Sequence, residues 1–461
     1  MTNYPLYPVD ACADTAAYLA TLRAKHADRI AFETVDTNWT YRQLTDSVAH
    51  CAAALADRQQ QRLRIQTDHP FYFAVAFFAV LLSGNIAVLC DVPTAATLDE
   101  PTLLRLLNQT VSEPAAPACG DPNAPAVIVG SSGTTSVAKA VVLSQANLYS
   151  DMAAVMATLE YKQTARYLNV IPFSHLFGVV GAIMIPLYAG STVCFGKSKY
   201  TFFEDLKRFR PTMLNLPPQL CSRLHQLIAA AGEADAVTGG RLEKIICGGA
   251  QADDSLNNLF AQYGIRMYAT YGLTECAPCI SVNRDRYYKI GSGGVVIPCC
   301  EVRIDNGEIA VRGSNVMLGY LDDPAATARV LRDGWLYTGD LGYLDDDGFL
   351  FVTGRKSNIL VLSSGKKVIP EQVEAVLSRL PCVKECLVRA CNDRGDVAAE
   401  LVCVPNGSAA AAESQLRQAL NRHGYDFIRR LTFTDSLPKS SLGKVLRTPR
   451  STAEKTLADT E

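Results

Sequence analysis

Apolar positions along this chain follow two spacings, and these sort it into elements. Short, largely apolar runs at 126–129, 167–171, 244–247 and 265–269 read as strands buried on both faces. Between such runs lie stretches with apolar residues at helical spacing. One follows Thr40-Tyr41-Arg42-Gln43, which has the form of a capping box, and continues through Leu44, Val48 and Ala52. Two longer apolar stretches, 71–82 and 177–188, are too short to span a bilayer, and glycine or proline ends or punctuates them. Both read as buried helices.

Strands that alternate with helices predict parallel sheets covered by helices. Beyond about residue 305 the texture changes, and Asn306–Gly307 and Asp347–Gly348 separate short strands in the manner of hairpins. After Arg355 a compact α/β pattern follows: a helix over 370–380, strands over 383–388 and 398–404, and a helix over 415–422. The expected fold class is α/β. A large N-terminal domain, residues 1–354, combines helix-covered, mostly parallel sheets with a β-rich subdomain; a small mobile α/β domain occupies 355–461. The segment between the helix ending near Leu82 and Gly130 leaves little room for a further strand-and-helix unit.

Composition removes several function classes. The chain has 461 residues, 48% hydrophobic and 20% charged, with a formal net charge of -2. No broad basic surface is implied, so nucleic acid and anionic lipid are not expected partners. Of the 15 cysteines, Cys194, Cys247, Cys386 and Cys403 sit inside apolar runs, where a thiol packs as a small hydrophobe. The N-terminus lacks a basic start followed by an apolar stretch. A reducing, cytoplasmic compartment and no transmembrane segment are therefore expected.

The strongest local chemistry is Gly130-Ser-Ser-Gly-Thr-Thr-Ser-Val-Ala-Lys139, placed directly after a predicted strand. Glycines and hydroxyl residues let backbone amides and side-chain OH groups converge on phosphate oxygens, and the lysine supplies charge. The spacing GxxxxGK[ST] is absent, which disfavours an ordinary P-loop NTPase. Further segments follow: Pro172-Phe-Ser-His175-Leu-Phe-Gly178, Gly248-Gly249-Ala250, Tyr271-Gly-Leu-Thr-Glu275, Gly334-Trp-Leu-Tyr-Thr-Gly-Asp340, Gly354-Arg355-Lys-Ser-Asn, and Pro438-Lys-Ser-Ser-Leu-Gly-Lys444-Val-Leu-Arg447.

In this order the segments resemble the adenylate-forming (AMP-binding) enzymes, most of all the acyl-CoA synthetase branch, and the resemblance covers nearly the whole chain. It implies an AMP-forming acid–thiol ligase. A fatty or aromatic carboxylic acid would attack ATP to give acyl-AMP and pyrophosphate, and coenzyme A would then take the acyl group. The phosphopantetheine thiol of an acyl carrier protein is the alternative acceptor. By the same resemblance Ser131, Ser132, Gly133, Thr134, Thr135 and Lys139 would cradle phosphate. Gly248, Gly249, Ala250 and Tyr271 would bind adenine, with Asp340 and Arg355 at the ribose. Glu275 would place Mg²⁺, with Thr274 beside it on phosphate. Lys444 would hold the carboxylate and the α-phosphate. His175 would stand between the ATP site and the acyl pocket. Ser357 would be the hinge between domains and Gly365 part of the thiol path.

Taken alone, several of these residues have ordinary explanations. Glu275 suits a helix start, Asp340 a turn, and Lys444 a solvated surface. The sequence also departs from the family pattern: Ser136 and Ala140 replace glycines, Ala138 replaces a proline, and Ser357 stands where an Asp or Lys is usual. Amino-acid-activating relatives place an aspartate next to an aromatic residue near Phe173–Ser174; Ser174-His175 stands here instead, which disfavours an α-amino acid. Leu216, Cys247, Ala277 and Cys279 are the expected acyl-pocket residues, and their small or apolar character suits a fatty or aromatic acid. Cys276-Ala-Pro-Cys279 is a CxxC with no second pair at zinc-like spacing, so pocket lining is preferred over metal or redox chemistry. Two rivals remain: a sensor that binds nucleotide or acyl-AMP without turnover, and a luciferase-like oxidative enzyme.

Overall fold

The computed structural model describes residues 4–110, 120–131, 139–198, 200–249, 255–285, 287–439 and 445–447. It divides into two compact units, Met1–Thr338 with Gly342–Val352, and Gly339–Leu341 with Thr353–Glu461.

In the first unit three of the doubly apolar runs, 167–171, 244–247 and 265–269, supply strands in the middle of a nine-stranded sheet, and the run 126–129 joins a second sheet. Ile30–Thr34, Thr192–Phe195, Arg166–Asn169, Met213–Leu216, Lys244–Cys247 and Arg266–Tyr271 lie side by side in that order, each parallel to its neighbour. Both edges are antiparallel: Asn38–Thr40 on one side, Ser281–Val282 and Val295–Val296 on the other. Side chains alternate across this sheet, so successive residues enter different cores. Leu214, Leu216, Ile245 and Cys247 pack with Phe209, Leu224, Ile228 and Phe260 of the covering helices, whereas Met213, Ile246 and Tyr268 face the larger core.

The larger core also receives a six-stranded sheet ordered Gly319–Tyr320, Ala140–Ser144, Pro125–Gly130, Ile86–Val88, Arg62–Gln66, Ala96–Asp99. The helix Pro70–Leu82 is apolar nearly all round, as a helix enclosed by protein must be. Helix Tyr41–Ala54 begins on the expected capping box, with Thr40 and Gln43 each accepting from the other's backbone N–H. Asn306 (φ +50°) and Gly307 (φ +81°) turn the hairpin Cys300–Asp305/Glu308–Gly313.

Two expectations change here. The stretch after Leu82 does hold a strand-and-helix unit: Ile86–Val88, Ala96–Asp99 and Glu100–Leu107. Its signal was brief, an Asp99 N-cap followed by Glu100-Pro101, with only Leu103 and Leu106 fully buried in the helix. The stretch 177–188 is a π-helix, Phe177–Met184, leading into Ile185–Tyr188. Pro186 has no N–H to give Ala182, and the Ile185 N–H instead reaches Val180 O, one residue further than an α-helix allows.

In the second unit, Val383–Asp393 and Asp396–Pro405 form an antiparallel hairpin turned by Arg394 and Gly395, and Ile428–Phe433 adds in parallel. Leu377 of helix Pro370–Leu377 and Leu416 of helix Ala409–Arg422 bury against Val388, Ala399 and Leu401. The first helix stops short of residue 380. The second starts earlier than expected, because Ser408 caps it and the alanine-rich 409–412 forms its first turn. Among the described residues no helix is long and apolar enough to cross a membrane.

Candidate active site

The sites implied by the sequence in the first unit gather where the parallel strands end, the usual place for a ligand in an open α/β sheet. Gly248 follows Lys244–Cys247, Gly272 follows Arg266–Tyr271, and His175 follows Arg166–Asn169.

Several of these backbones approach each other too closely for side chains. A Cβ on Gly248 would lie 2.6 Å from Thr270 Cγ2, and one on Gly272 would lie 1.9 Å from Pro278 O. Gly249 has φ +84°, a conformation glycine adopts without strain. The result is a cradle of bare backbone beside Tyr271, which ends its strand half-buried. That surface suits a flat heterocycle.

The phosphate-type loop hangs from the hairpin Pro125–Gly130/Ala140–Ser144. Its neck is closed by two hydrogen bonds: Ser131 N–H donates to Lys139 O at 2.8 Å, and Lys139 N–H donates to Ser131 Oγ at 3.2 Å. Ser132, Gly133, Thr134 and Thr135 lie outside the described residues, as do Ala250 and Lys444.

Lys139 Nζ sits over the ring of Tyr320, 4.5 Å from its centre, and Tyr320 Oη donates to Glu275 Oε1 at 2.9 Å. A lysine, a phenol and a carboxylate from three distant segments thus form one chain. Tyr320 can reach both because Gly319–Tyr320 pairs with Val142 and Val141 on the loop's own hairpin.

Glu275 stands on the turn Thr274–Cys276, and the surrounding backbone is pinned from behind. Met317 N–H donates to Glu275 O at 2.9 Å. Asn315 Nδ2 donates to Cys279 O at 2.7 Å and Cys276 O at 3.1 Å, and Asp151 Oδ1 accepts from Cys279 N–H at 3.0 Å. Asp151 is wholly buried, and desolvation holds its carboxyl well above the usual carboxylate range. The half-exposed Glu275 carboxylate fits Mg²⁺, a hard ion that takes one or two carboxylates and completes its shell with water and phosphate oxygens. Thr274, the preceding residue, is half-buried too.

Burial also lowers the His175 imidazole below its ordinary value, so it is neutral at pH 7. Its position before the π-helix suits packing better than proton transfer. Cys276 and Cys279 are buried thiols pushed well above their ordinary pKa by desolvation. Among the described residues no group of three or more His, Cys, Asp or Glu is arranged to hold a metal.

The expected acyl-pocket residues divide between two cores. Ala277 and Cys279 belong to the larger core on the π-helix side, but Leu216 and Cys247 face the covering helices. The strand residues of opposite parity are Asn215, whose Nδ2 donates to Gly181 O of the π-helix at 2.6 Å, and Ile246.

In the second unit Arg355 Nε lies 3.5 Å from Asp340 Oδ1, so the two residues assigned to the ribose are neighbours. Ser357 is exposed on the short turn Lys356–Asn358, and Gly365 (φ +81°) turns the small hairpin Leu360–Val361/Lys367–Val368. Tyr320, Asn315 and Asp151 were not singled out in the sequence. The one local hint was the polar Asn315 within an otherwise small and apolar stretch.

The sequence profile of the AMP-binding enzyme family matches residues 91–321. A 2-succinylbenzoate–CoA ligase of Geobacillus sp. (strain WCH70) is 32% identical over 343 residues, covering 70% of this chain and 68% of that protein. A feruloyl-CoA synthase of Amycolatopsis sp is 30% identical over 341 residues, covering 70% and 68%. The fold is that of the Bacillus subtilis o-succinylbenzoate CoA synthetase solved with its acyl-adenylate intermediate, with a TM-score of 0.79 at 23% identity over 93% of this chain and 96% of that one. ATP-bound MatB from Rhodopseudomonas palustris superposes with a TM-score of 0.83 at 22% identity, over 94% and 97%.

Proposed function

This chain belongs to the AMP-binding enzyme family, and from that premise we propose that it is an AMP-forming acid–CoA ligase acting on an aromatic carboxylic acid. The observation that carries the reading is the Lys139–Tyr320–Glu275 chain beside the glycine cradle. It sets a cation and a carboxylate on one surface, where a nucleotide's phosphates and their metal ion would need both.

The carboxylate of the acid attacks the α-phosphorus of ATP, and pyrophosphate leaves. Bound Mg²⁺ would neutralise the departing phosphates from Glu275. Lys139 draws the phosphate oxygens, and Tyr320 holds both side chains in place. Lys444 is assigned to the carboxylate and α-phosphate oxygens. An ammonium about 4 Å from a unit of negative charge gains ~4 kcal/mol at an effective dielectric near 20, less its desolvation. In the second step the thiol sulfur attacks the acyl carbon and AMP leaves. Rotation of a C-terminal domain about Ser357 would withdraw Lys444 and bring Gly365 to the thiol path, a hinge exchange between two constellations.

The aromatic preference rests on relatives named for succinylbenzoate and ferulate, and on Phe173, stacked on Phe73 with ring centres 4.2 Å apart just before His175. Coenzyme A is the acceptor because those relatives are named CoA ligases.

Pyrophosphate release from Mg·ATP is measured against aromatic, fatty and amino acids, with and without coenzyme A. Release with aromatic acids and product trapped as a CoA thioester is the expected result. Release indifferent to coenzyme A would replace it with a carrier-protein thiol, and tight ATP binding without release would leave a sensor. Lys444→Ala is expected to cut adenylation about a hundredfold to a thousandfold while sparing thioester formation from supplied acyl-AMP. Equal loss of both steps would refute the domain exchange.

A further inference from the structure

The π-helix Phe177–Met184 strands one carbonyl, Gly181 O, between two backbone positions that do not serve it. In an α-helix Gly181 O would accept from the Ile185 N–H, which here goes to Val180 O instead. In the π register its donor would be the N–H of residue 186, and residue 186 is proline. Asn215 Nδ2 supplies the bond at 2.6 Å, reaching in from the strand Met213–Leu216. Asn215 is only 5% exposed, and an amide placed that deep in the fold needs such a partner.

Glycine at 181 lets the two groups meet. A Cβ there would lie 3.3 Å from Asn215 Nδ2 and 3.2 Å from Phe177 Cδ2. The Phe177 ring therefore rests on the same turn that Asn215 caps. Its far edge reaches the glycine cradle, because a Cβ on Gly248 would lie 3.6 Å from Phe177 Cζ and 3.8 Å from Cε1. Phe177 is half-buried and packs against the larger core, the one that holds Ala277 and Cys279. Asn215, Gly181, Phe177 and Gly248 thus form one continuous path from the sheet, through the π-helix, to the cradle.

We infer that Asn215 is a positioning residue for the acid site: by capping Gly181 O it holds the helix in its π register, and that register sets the Phe177 ring as a wall between the cradle and the acyl side. The inference rests on the aromatic-acid adenylation proposed above and adds a residue that decides which acids fit. Without the Asn215 amide the Ile185 N–H can return to Gly181 O. The helix then rewinds toward α, and the ring leaves the Gly248 face. Single π-turns in proteins are frequent at functional sites, and here a dedicated side chain maintains one.

Asn215→Leu keeps the volume and removes the donor. It is compared in the full-length protein with the wild type, with Pro186→Ala, and with the double variant Asn215→Leu/Pro186→Ala. Pro186→Ala restores the N–H at residue 186, so the double variant serves Gly181 O from the helix itself. ATP–pyrophosphate exchange is followed with benzoate and with the bulkier 2-naphthoate, and KM for ATP is taken in each variant.

Asn215→Leu is expected to lower discrimination against the bulkier acid about tenfold, with KM for ATP within about threefold of the wild type. The double variant is expected to regain most of that discrimination, and Pro186→Ala alone to leave it within about twofold. Urea unfolding gives a readout independent of turnover. The stability lost in Asn215→Leu should be at least halved when Pro186→Ala is added, the non-additivity of two positions that serve one acceptor. Equal losses for both acids and for ATP would mean a packing role alone and overturn the inference, and additive effects in urea would overturn the cap. Stability regained without discrimination would separate register from selectivity and overturn it too. If Asn215→Leu alone does not fold, folded protein from the double variant reads the same coupling, and its absence refutes it. Wild-type protein that adenylates neither acid would instead end the aromatic-acid reading, and the urea cycle would then decide the cap alone.

Discussion

Removing one oxygen from Tyr320 separates the contacts that join Lys139 to Glu275. In Tyr320→Phe the ring stays under Lys139 Nζ, but the 2.9 Å hydrogen bond to Glu275 Oε1 is lost. A hydrogen bond to a charged group is worth about 1.5–3 kcal/mol. Tyr320 and Glu275 are both half-buried, so water replaces part of the loss and the low end applies. At about 1.4 kcal/mol per decade, adenylation should slow about tenfold. Tyr320→Ala removes the ring as well. The cation–π contact adds about 1 kcal/mol, for a total loss of about fiftyfold.

The assay is ATP–pyrophosphate exchange over a series of Mg²⁺ concentrations. A less firmly held Glu275 should raise the Mg²⁺ needed for half-maximal exchange in both variants, whereas the extra loss in Tyr320→Ala should appear at saturating Mg²⁺. Wild-type exchange in Tyr320→Phe with an unmoved Mg²⁺ midpoint would refute the coupling. Equal losses in the two variants would remove the ring from the account of Lys139.

Two further outcomes follow from the backbone behind Glu275. Asp151 has its carboxyl raised well above 3.8 by desolvation, so the stability it lends is complete below that value and declines as pH rises, by up to about 1.4 kcal/mol per pH unit. Asp151→Asn keeps a carbonyl for Cys279 N–H and cannot ionise. Its melting temperature relative to the wild type should therefore climb from pH 5 to pH 8, and a constant offset would show that Asp151 is charged. In Gly272→Ala the new Cβ would meet Pro278 O at 1.9 Å, a backbone atom that cannot swing aside. A loss of more than about 2 kcal/mol in urea unfolding is expected, with adenylation abolished; a normally active variant would refute the close approach.

Much of the fold was legible because its strongest signals are local. A run such as Ala126–Val129 needs no neighbour to read as a strand, and Thr40 with Gln43 announces a helix start by itself. Glycine at Gly248 and Gly272 likewise speaks through its own missing side chain. What stayed hidden is made by distant residues that meet. Tyr320 lies 45 positions from Glu275, and Asn315 lies 164 from Asp151. No period or motif joins such pairs; the pairing of Gly319–Tyr320 with the loop hairpin does.

The strand residues expected in the pocket show where local reading stops. In a strand apolar on both faces, alternation vanishes from the sequence, and parity cannot be taken from hydrophobicity. Lys244-Ile-Ile-Cys247 gives no sign of which residue faces the larger core. Met213-Leu-Asn-Leu216 does, because a single polar residue in an otherwise apolar buried strand must have a hydrogen-bond partner. Asn215 finds its partner in Gly181 O, the carbonyl of a π-helix turn, and so marks the face toward the larger core. Because the strands are parallel neighbours in register, that one residue fixes the parity of the next strand as well: Asn215 pairs with Ile246, which places Ile246 on the π-helix side and turns Cys247 away.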